Sequence, residues 1–229
     1  MDKRKTYLIG LDTETANSME TDNKLDLSQS IVYDIGWGVI DKKGNFYEKR
    51  SFIVAEIFLD KELMNSAYYK EKIPKYWEAI KRGEKKLAKF ETIRRIFFTD
   101  YKSYNVKAVF AHNARFDLNA LNNTIRLLTG SKKRYFYPKN AELWDTLKMA
   151  RDIFKTRKGY TLFCEENGYL TNHRPPQNRF TAEVLYKYIS GDNTFEEKHM
   201  GLEDVEIETK ILVYCLNAHQ KMRKGLFEK

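Results

Sequence analysis

The sequence predicts an α/β protein on one mixed β-sheet, an antiparallel three-strand meander continued by parallel strands, flanked by helices on both faces. Three observations carry this. Three β-rich apolar segments follow one another before residue 55, with a turn-type sequence between the second and third. From about residue 90 the apolar period changes to three and four, and short buried-strand segments then alternate with helical ones. With 42% hydrophobic, 14% aromatic and 32% charged residues the composition is globular. Sites in such folds form beyond the carboxyl ends of the parallel strands.

The elements follow in order. Tyr7-Leu8-Ile9-Gly10-Leu11 reads as a short buried strand that delivers Asp12-Thr13-Glu14-Thr15 at its carboxyl end. Ile31 to Asp41 and Asn45 to Val54 read as the next two strands, joined by the turn Asp41-Lys42-Lys43-Gly44. The stretch Tyr69 to Arg95 is unusually basic and carries Tyr69, Tyr76, Trp77 and Phe90, which suggests a basic helical insertion at about 60–100 within a single domain spanning 1–229. Its Lys and Arg residues offer either a surface that tracks phosphates or a solvated helix face. Phe90, Ile93, Ile96 and Phe97 recur at helical spacing, and Ala108-Val109-Phe110-Ala111 reads as a fourth, fully buried strand that exits at His112-Asn113. Leu118, Leu121, Ile125 and Leu128 then mark an amphipathic helix from Ala114, with Gly130 as its C-cap. A short strand near Glu142 to Leu147 precedes another helix, and Leu202, Val205, Thr209, Leu212 and Leu216 form the stripe of a final helix with Gly201 just before it.

Composition narrows the function classes. Lys+Arg of 41 against Asp+Glu of 32 gives a net charge of +9, which favours polyanionic partners, nucleic acid first. Cys164 and Cys215 are far apart, without a C-x-x-C pair or a Cys/His cluster, which argues against a zinc module and a disulfide framework and for a reducing compartment. No segment approaches the ~18 consecutive apolar residues of a membrane span. The basic start at Met1-Asp2-Lys3-Arg4-Lys5 is followed by an apolar run too short for a signal peptide, so no membrane association and a cytoplasmic location are expected.

The acidic residues carry the chemistry. Asp12 and Glu14 are two apart on a strand, so both carboxylates project from one side and one cation could take both. Alone, a D-x-E is as well explained by an ordinary strand-end Asp beside a solvated Glu. In His112-Asn113-Ala114-Arg115-Phe116-Asp117 the last residue enters the first turns of a helix, where the dipole favours a carboxylate in any case. In His199-Met200-Gly201-Leu202-Glu203-Asp204 a separation of five would put His199 and Asp204 about 140° apart on a continuous helix. With Gly201 as a break, Asp204 sits in the first turn and His199 can reach the same cavity from the preceding loop; the alternative is a solvent-facing His on a charged loop.

Together these pieces resemble the DEDDh exonucleases, the DnaQ-like family of the RNase H-like superfamily. Its D-x-E motif is met by Asp12-Thr13-Glu14, its H-N-A-x-F-D motif by His112 to Asp117, and its H-x-A-x-x-D motif by His199 and Asp204, with Gly201 where the family usually has Ala. The tyrosine subclass carries Tyr four residues before the last Asp; here that residue is Met200, which favours the histidine subclass. Trp144 to Arg151 looks like the family's D-T-L-x-x-A-R segment, in which Asp145 reads as a helix N-cap. The chain departs from the family after Glu14, reading Thr15-Ala16-Asn17 where many members continue Thr-Thr-Gly.

The resemblance implies a 3'–5' exonuclease that hydrolyses terminal phosphodiester bonds of DNA, with RNA second, and releases nucleoside 5'-monophosphates. Four converging carboxylates would repel one another unless a cation compensates, and all-oxygen ligation suits Mg²⁺ or Mn²⁺. The family pattern implies two ions per site, with Asp12, Glu14 and Asp204 on one, Asp12 bridging to the other, and Asp117 acting near the second. It makes His199 the general base. It places the terminal nucleotide against the backbone around Thr13, Thr15 and Ala16, with Asn113 nearby and Phe116 as a base-stacking aromatic; a core role for Phe116 is the competing reading. Single-stranded 3' ends are the expected partner and a DNA polymerase is a candidate one. An RNase H-like endonuclease and a catalytically silent nucleic-acid-binding subunit are the alternatives.

Overall fold

The computed structural model describes residues 5–17, 19–21 and 24–228. The meander forms first. β1 (Tyr7–Ala16) leads through the small hairpin β2 (Met19–Thr21) and β3 (Lys24–Asp26) to β4 (Ile31–Asp41), and a tight turn leads on to β5 (Phe46–Val54). In that turn Gly44 takes a φ of +83° and Asp41 accepts backbone N–H bonds from Lys43 and Asn45, which explains both residue types. α1 (Ala55–Phe58), α2 (Lys61–Asn65) and α3 (Ile73–Lys81) follow, then β6 (Lys86–Ala88) and α4 (Phe90–Ser103). Next come β7 (Ala108–Ala111), α5 (Ala114–Thr129), β8 (Glu142–Asp145), α6 (Thr146–Phe154), α7 (Lys158–Glu166), α8 (Ala182–Ser190) and α9 (Gly201–Asn217).

The sheet order is β6-β5-β4-β1-β7-β8. β4 lies antiparallel to both β1 and β5, whereas β7 runs parallel to β1, β8 to β7 and β6 to β5. Alternation along the central strand sorts the two cores. Ile9 and Leu11 pack with Tyr33, Ile35 and Trp37 against α4 and α5. Leu8 and Phe110 pack on the opposite face against α6 and α9. Large side chains buried to this extent contribute roughly 1.5–3 kcal/mol each.

Two elements add to the sequence reading. The first strand runs beyond its apolar stretch to Ala16, because β4 accompanies it to the pair Ala16↔Ile31, and Asp12 and Glu14 lie on it as their spacing predicts. The basic stretch is also woven into the fold. It supplies the edge strand β6, Tyr76 and Phe90 are core residues, and Lys85 is buried against Asp34 at 2.9 Å. Cys164 and Cys215 are free and buried. Among the described residues no helix is long and apolar enough to cross a membrane.

The docking of α9 positions the site. A Cβ on Gly36 of β4 would lie 2.1 Å from the Leu202 nitrogen, and one on Gly201 would lie 2.8 Å from the Gly36 nitrogen and 3.2 Å from the Asp12 carbonyl oxygen. Helix backbone therefore rests directly on sheet backbone. Asp34, fully buried, locks the contact: it accepts the Gly201 N–H at 3.2 Å while Lys85 neutralises it. The Gly at 201 thus has a steric reason, since Ala there would press on β4.

Candidate active site

The site grows from the unequal edges of β1. β7 pairs with β1 only over Leu8, Ile9 and Gly10, so Asp12 and Glu14 lie past the end of the parallel pairing while β4 still holds the other edge. Their side chains share the face on which α9 sits. Gly201 brings the start of α9 against Asp12, and Asp204 follows three residues later, in the first turn. Its Oδ2 accepts the Met200 N–H at 2.8 Å, and its Oδ1 is buried with no hydrogen-bond partner.

His199 precedes the helix in the left-handed region, at φ +50°, and this turns its ring inward. Glu14, His199 and Asp204 each offer one ligand atom, all within 4.8 Å of one another. The imidazole stacks on Tyr69, with centroids 4.3 Å apart and 14° between planes, and its Nδ1 lies 3.9 Å from Glu197. Lys72 sits over the other partner of that stack, 4.4 Å from the Tyr69 centroid, and donates to the Lys198 carbonyl.

Asp117 arrives from α5 on the other flank of the sheet. It is buried, and its Oδ1 accepts the Thr13 hydroxyl at 2.8 Å. The other residues of that segment divide by role. The His112 ring is held between Thr146 Oγ1 (3.1 Å) and the Phe180 carbonyl (2.7 Å), so it braces the strand exit. Asn113 turns the chain at φ +67° and stays exposed, its N–H donating to Asp145, which also caps α6 through the Leu147 N–H. Phe116 is half-buried and belongs to neither main core, which leaves its ring available at the surface beside Asp117. Thr13 and Thr15 are buried, the Thr15 carbonyl accepts from Tyr68, and Ala16 is fully buried with no side-chain surface to offer.

Electrostatics mark this cluster out. Burial, then repulsion from Glu208, Asp117, Asp204 and Glu14, holds the Asp12 carboxyl well above the usual range. Glu14 is raised likewise by burial and by Asp204, with Lys72 easing the shift. Burial pushes Asp117 up to about 7 against the pull of the Thr13 hydroxyl, and burial with Glu197 pushes Asp204 up to about 8. Glu197 itself is raised to about 7 by burial. Burial, followed by the nearby Lys72, lowers His199, so its imidazole is neutral at neutral pH.

Four participants escaped the sequence reading. Glu208 and Glu197 add carboxylates, and Tyr69 and Lys72 support His199. Only Glu208 carried a local signal, standing one helical turn beyond Asp204. Asp12, Glu197 and Glu208 line a cleft of about 1390 Å³ that Arg151, Lys155 and Arg179 also border. Its basic residues come from α6 and the residue that follows it, from the segment before α8 and, with Arg223, from the segment after α9, and not from residues 69–95.

The donor set fits hard divalent cations. It is mainly carboxylate oxygen, it gathers repelling charges, and it leaves the buried Asp204 Oδ1 and Glu208 Oε2 without partners.

No family model and no curated protein matches the sequence. Solved structures do match in fold. Exonuclease X in complex with 5' overhanging duplex DNA aligns over 93% of this chain and 92% of its own, at 17% identity and a TM-score of 0.52. The nuclease domain of 3'hExo, a DEDDh family member bound to rAMP, aligns over 98% of both chains at 9% identity and a TM-score of 0.59. E. coli Exonuclease I in complex with a 5cy-dT13 oligonucleotide aligns over 94% of this chain but 43% of its own, at 13% identity and a TM-score of 0.52. The chain has the RNase H-like α/β fold of these exonucleases.

Proposed function

We propose that the protein is a divalent-metal-dependent 3'–5' exonuclease of the DEDDh type, acting on single-stranded 3' ends of DNA and releasing nucleoside 5'-monophosphates. One observation carries the reading: carboxylates from β1, α5 and α9 meet beside a neutral imidazole, with buried oxygens left unpartnered. Asp12, Glu14, Asp117 and Asp204 would hold Mg²⁺ or Mn²⁺, which when bound would stabilise the charge that develops on the entering and leaving oxygens at phosphorus.

The chain's own groups supply the rest. His199, kept neutral by burial and oriented by its stack on Tyr69, accepts the proton of the attacking water. Phe116 offers a ring on which the terminal base stacks, a sequence-tolerant contact worth about 1–3 kcal/mol. Arg151 and Lys155 on the cleft wall attract the backbone phosphates that follow.

The test is incubation of 5'-labelled single-stranded DNA and matched RNA with Mg²⁺. A ladder of single-nucleotide steps supports the reading. Internal cuts would indicate an endonuclease, and retention without products a binding subunit; either result overturns it. Faster loss of the RNA would reverse the substrate preference alone.

A further inference from the structure

We infer that Glu208 is a fifth carboxylate of the cation site, joining Asp12 and Asp117 to hold one cation while Glu14 and Asp204 hold the other, beside the His199 base. This rests on the metal-dependent reading above and adds a ligand that none of the three motifs contains. Glu208 lies on α9 one turn beyond Asp204, so it faces the same way. It is only 3% exposed. Its Oε1 accepts the His112 N–H at 3.0 Å, which fixes the carboxylate at the exit of β7. Its Oε2 is buried with no partner.

A buried carboxylate oxygen left in that condition is costly unless something positive meets it. Among the described residues no Lys or Arg makes an ion pair with Glu208. Its charged neighbours are Asp117, Glu197 and Asp204, all acidic. Asp12 in turn feels Glu208 more strongly than any other carboxylate, and the two line the same cleft. The cluster therefore has two lobes. Glu14, His199 and Asp204 form one, whose ligand atoms converge within 4.8 Å. Asp12, Asp117 and Glu208 would form the other. The His112 N–H occupies Oε1 alone and leaves Oε2 turned to the cluster without a donor.

Glu208→Gln separates the alternatives, because the amide keeps the acceptor for His112 and loses the charge. Mn²⁺ binding to the full chain is followed by electron paramagnetic resonance of free Mn²⁺, beside wild type and the exposed control Glu166→Gln. Two Mn²⁺ are expected for wild type and control, and in Glu208→Gln one of them is lost or weakened by at least about tenfold. In chelator, Glu208→Gln is expected to melt no lower than wild type, because the amide oxygen still accepts the His112 N–H. An unchanged two-site isotherm, or a lower melting temperature in chelator up to failure to fold, overturns the inference while leaving the exonuclease reading intact. A wild-type chain that binds no Mn²⁺ overturns both.

Discussion

Raising the pH of the cation-free protein from about 6.5 to about 8 is expected to weaken it, which is the reverse of ordinary carboxylate behaviour. In the folded chain Asp117 and Glu197 titrate at about 7 and Asp204 at about 8, while the unfolded chain returns them to about 4. Between those values the folded state holds protons that the unfolded state has released. Stability is then fully present below the unfolded value and is lost as pH rises through the folded one. The lowered His112 and His199 oppose this, but only below their ordinary value near ~6.5, so the window above it isolates the acids. Each extra proton is worth about 1.4 kcal/mol per pH unit, and a single one across this window gives ~2 kcal/mol. Urea denaturation in EDTA, followed by circular dichroism at several pH values, reads this directly. Adding Mn²⁺ at roughly a hundred times its dissociation constant should restore about 2.7 kcal/mol and flatten the profile. A chelated protein whose stability is level or rises over the window would refute the assignment of repelling, proton-holding carboxylates.

Further outcomes follow from the same contacts. His199→Ala should lower turnover by about 10²–10⁴-fold in a single-nucleotide release assay while the urea midpoint changes little. Lys85→Met strands the Asp34 charge in the core and should cost about 3–5 kcal/mol in urea denaturation, much of it recovered when Asp34→Asn is added. Gly36→Ala should displace the start of α9, lowering Mn²⁺ affinity together with stability; a variant of wild-type affinity would show that helix and sheet are not seated backbone to backbone.

Much of this arrangement was legible from residue patterns. Ile31–Asp41 and Ala108–Ala111 have the bounds their apolar runs predict, and α5 ends at the left-handed Gly130. The spacing of His199, Gly201 and Asp204 is resolved as expected by a helix that begins at Gly201. Other features are marked faintly along the chain or not at all. The apolar run of β1 stops at Leu11, and that the strand continues to Ala16 depends on its pairing with β4. β6 is three residues long, too short for any period to show. Glu208 hid inside the apolar stripe of α9, since a buried acid and a solvated one are the same letter until tertiary contacts remove the water. Tyr69 and Lys72 reach His199 only through the path of the chain after α2, which no local pattern encodes.

The seat of α9 on bare strand backbone also sets an order of events during synthesis. Residues 12, 14 and 117 leave the ribosome well before 204 and 208, and α9 follows every other described element. The ring of acids cannot close on a half-made chain. On the proposed activity, an unfinished chain is therefore inert toward nucleic acid, and cutting power arrives only once the closing helix has reached the Gly36 backbone that receives it.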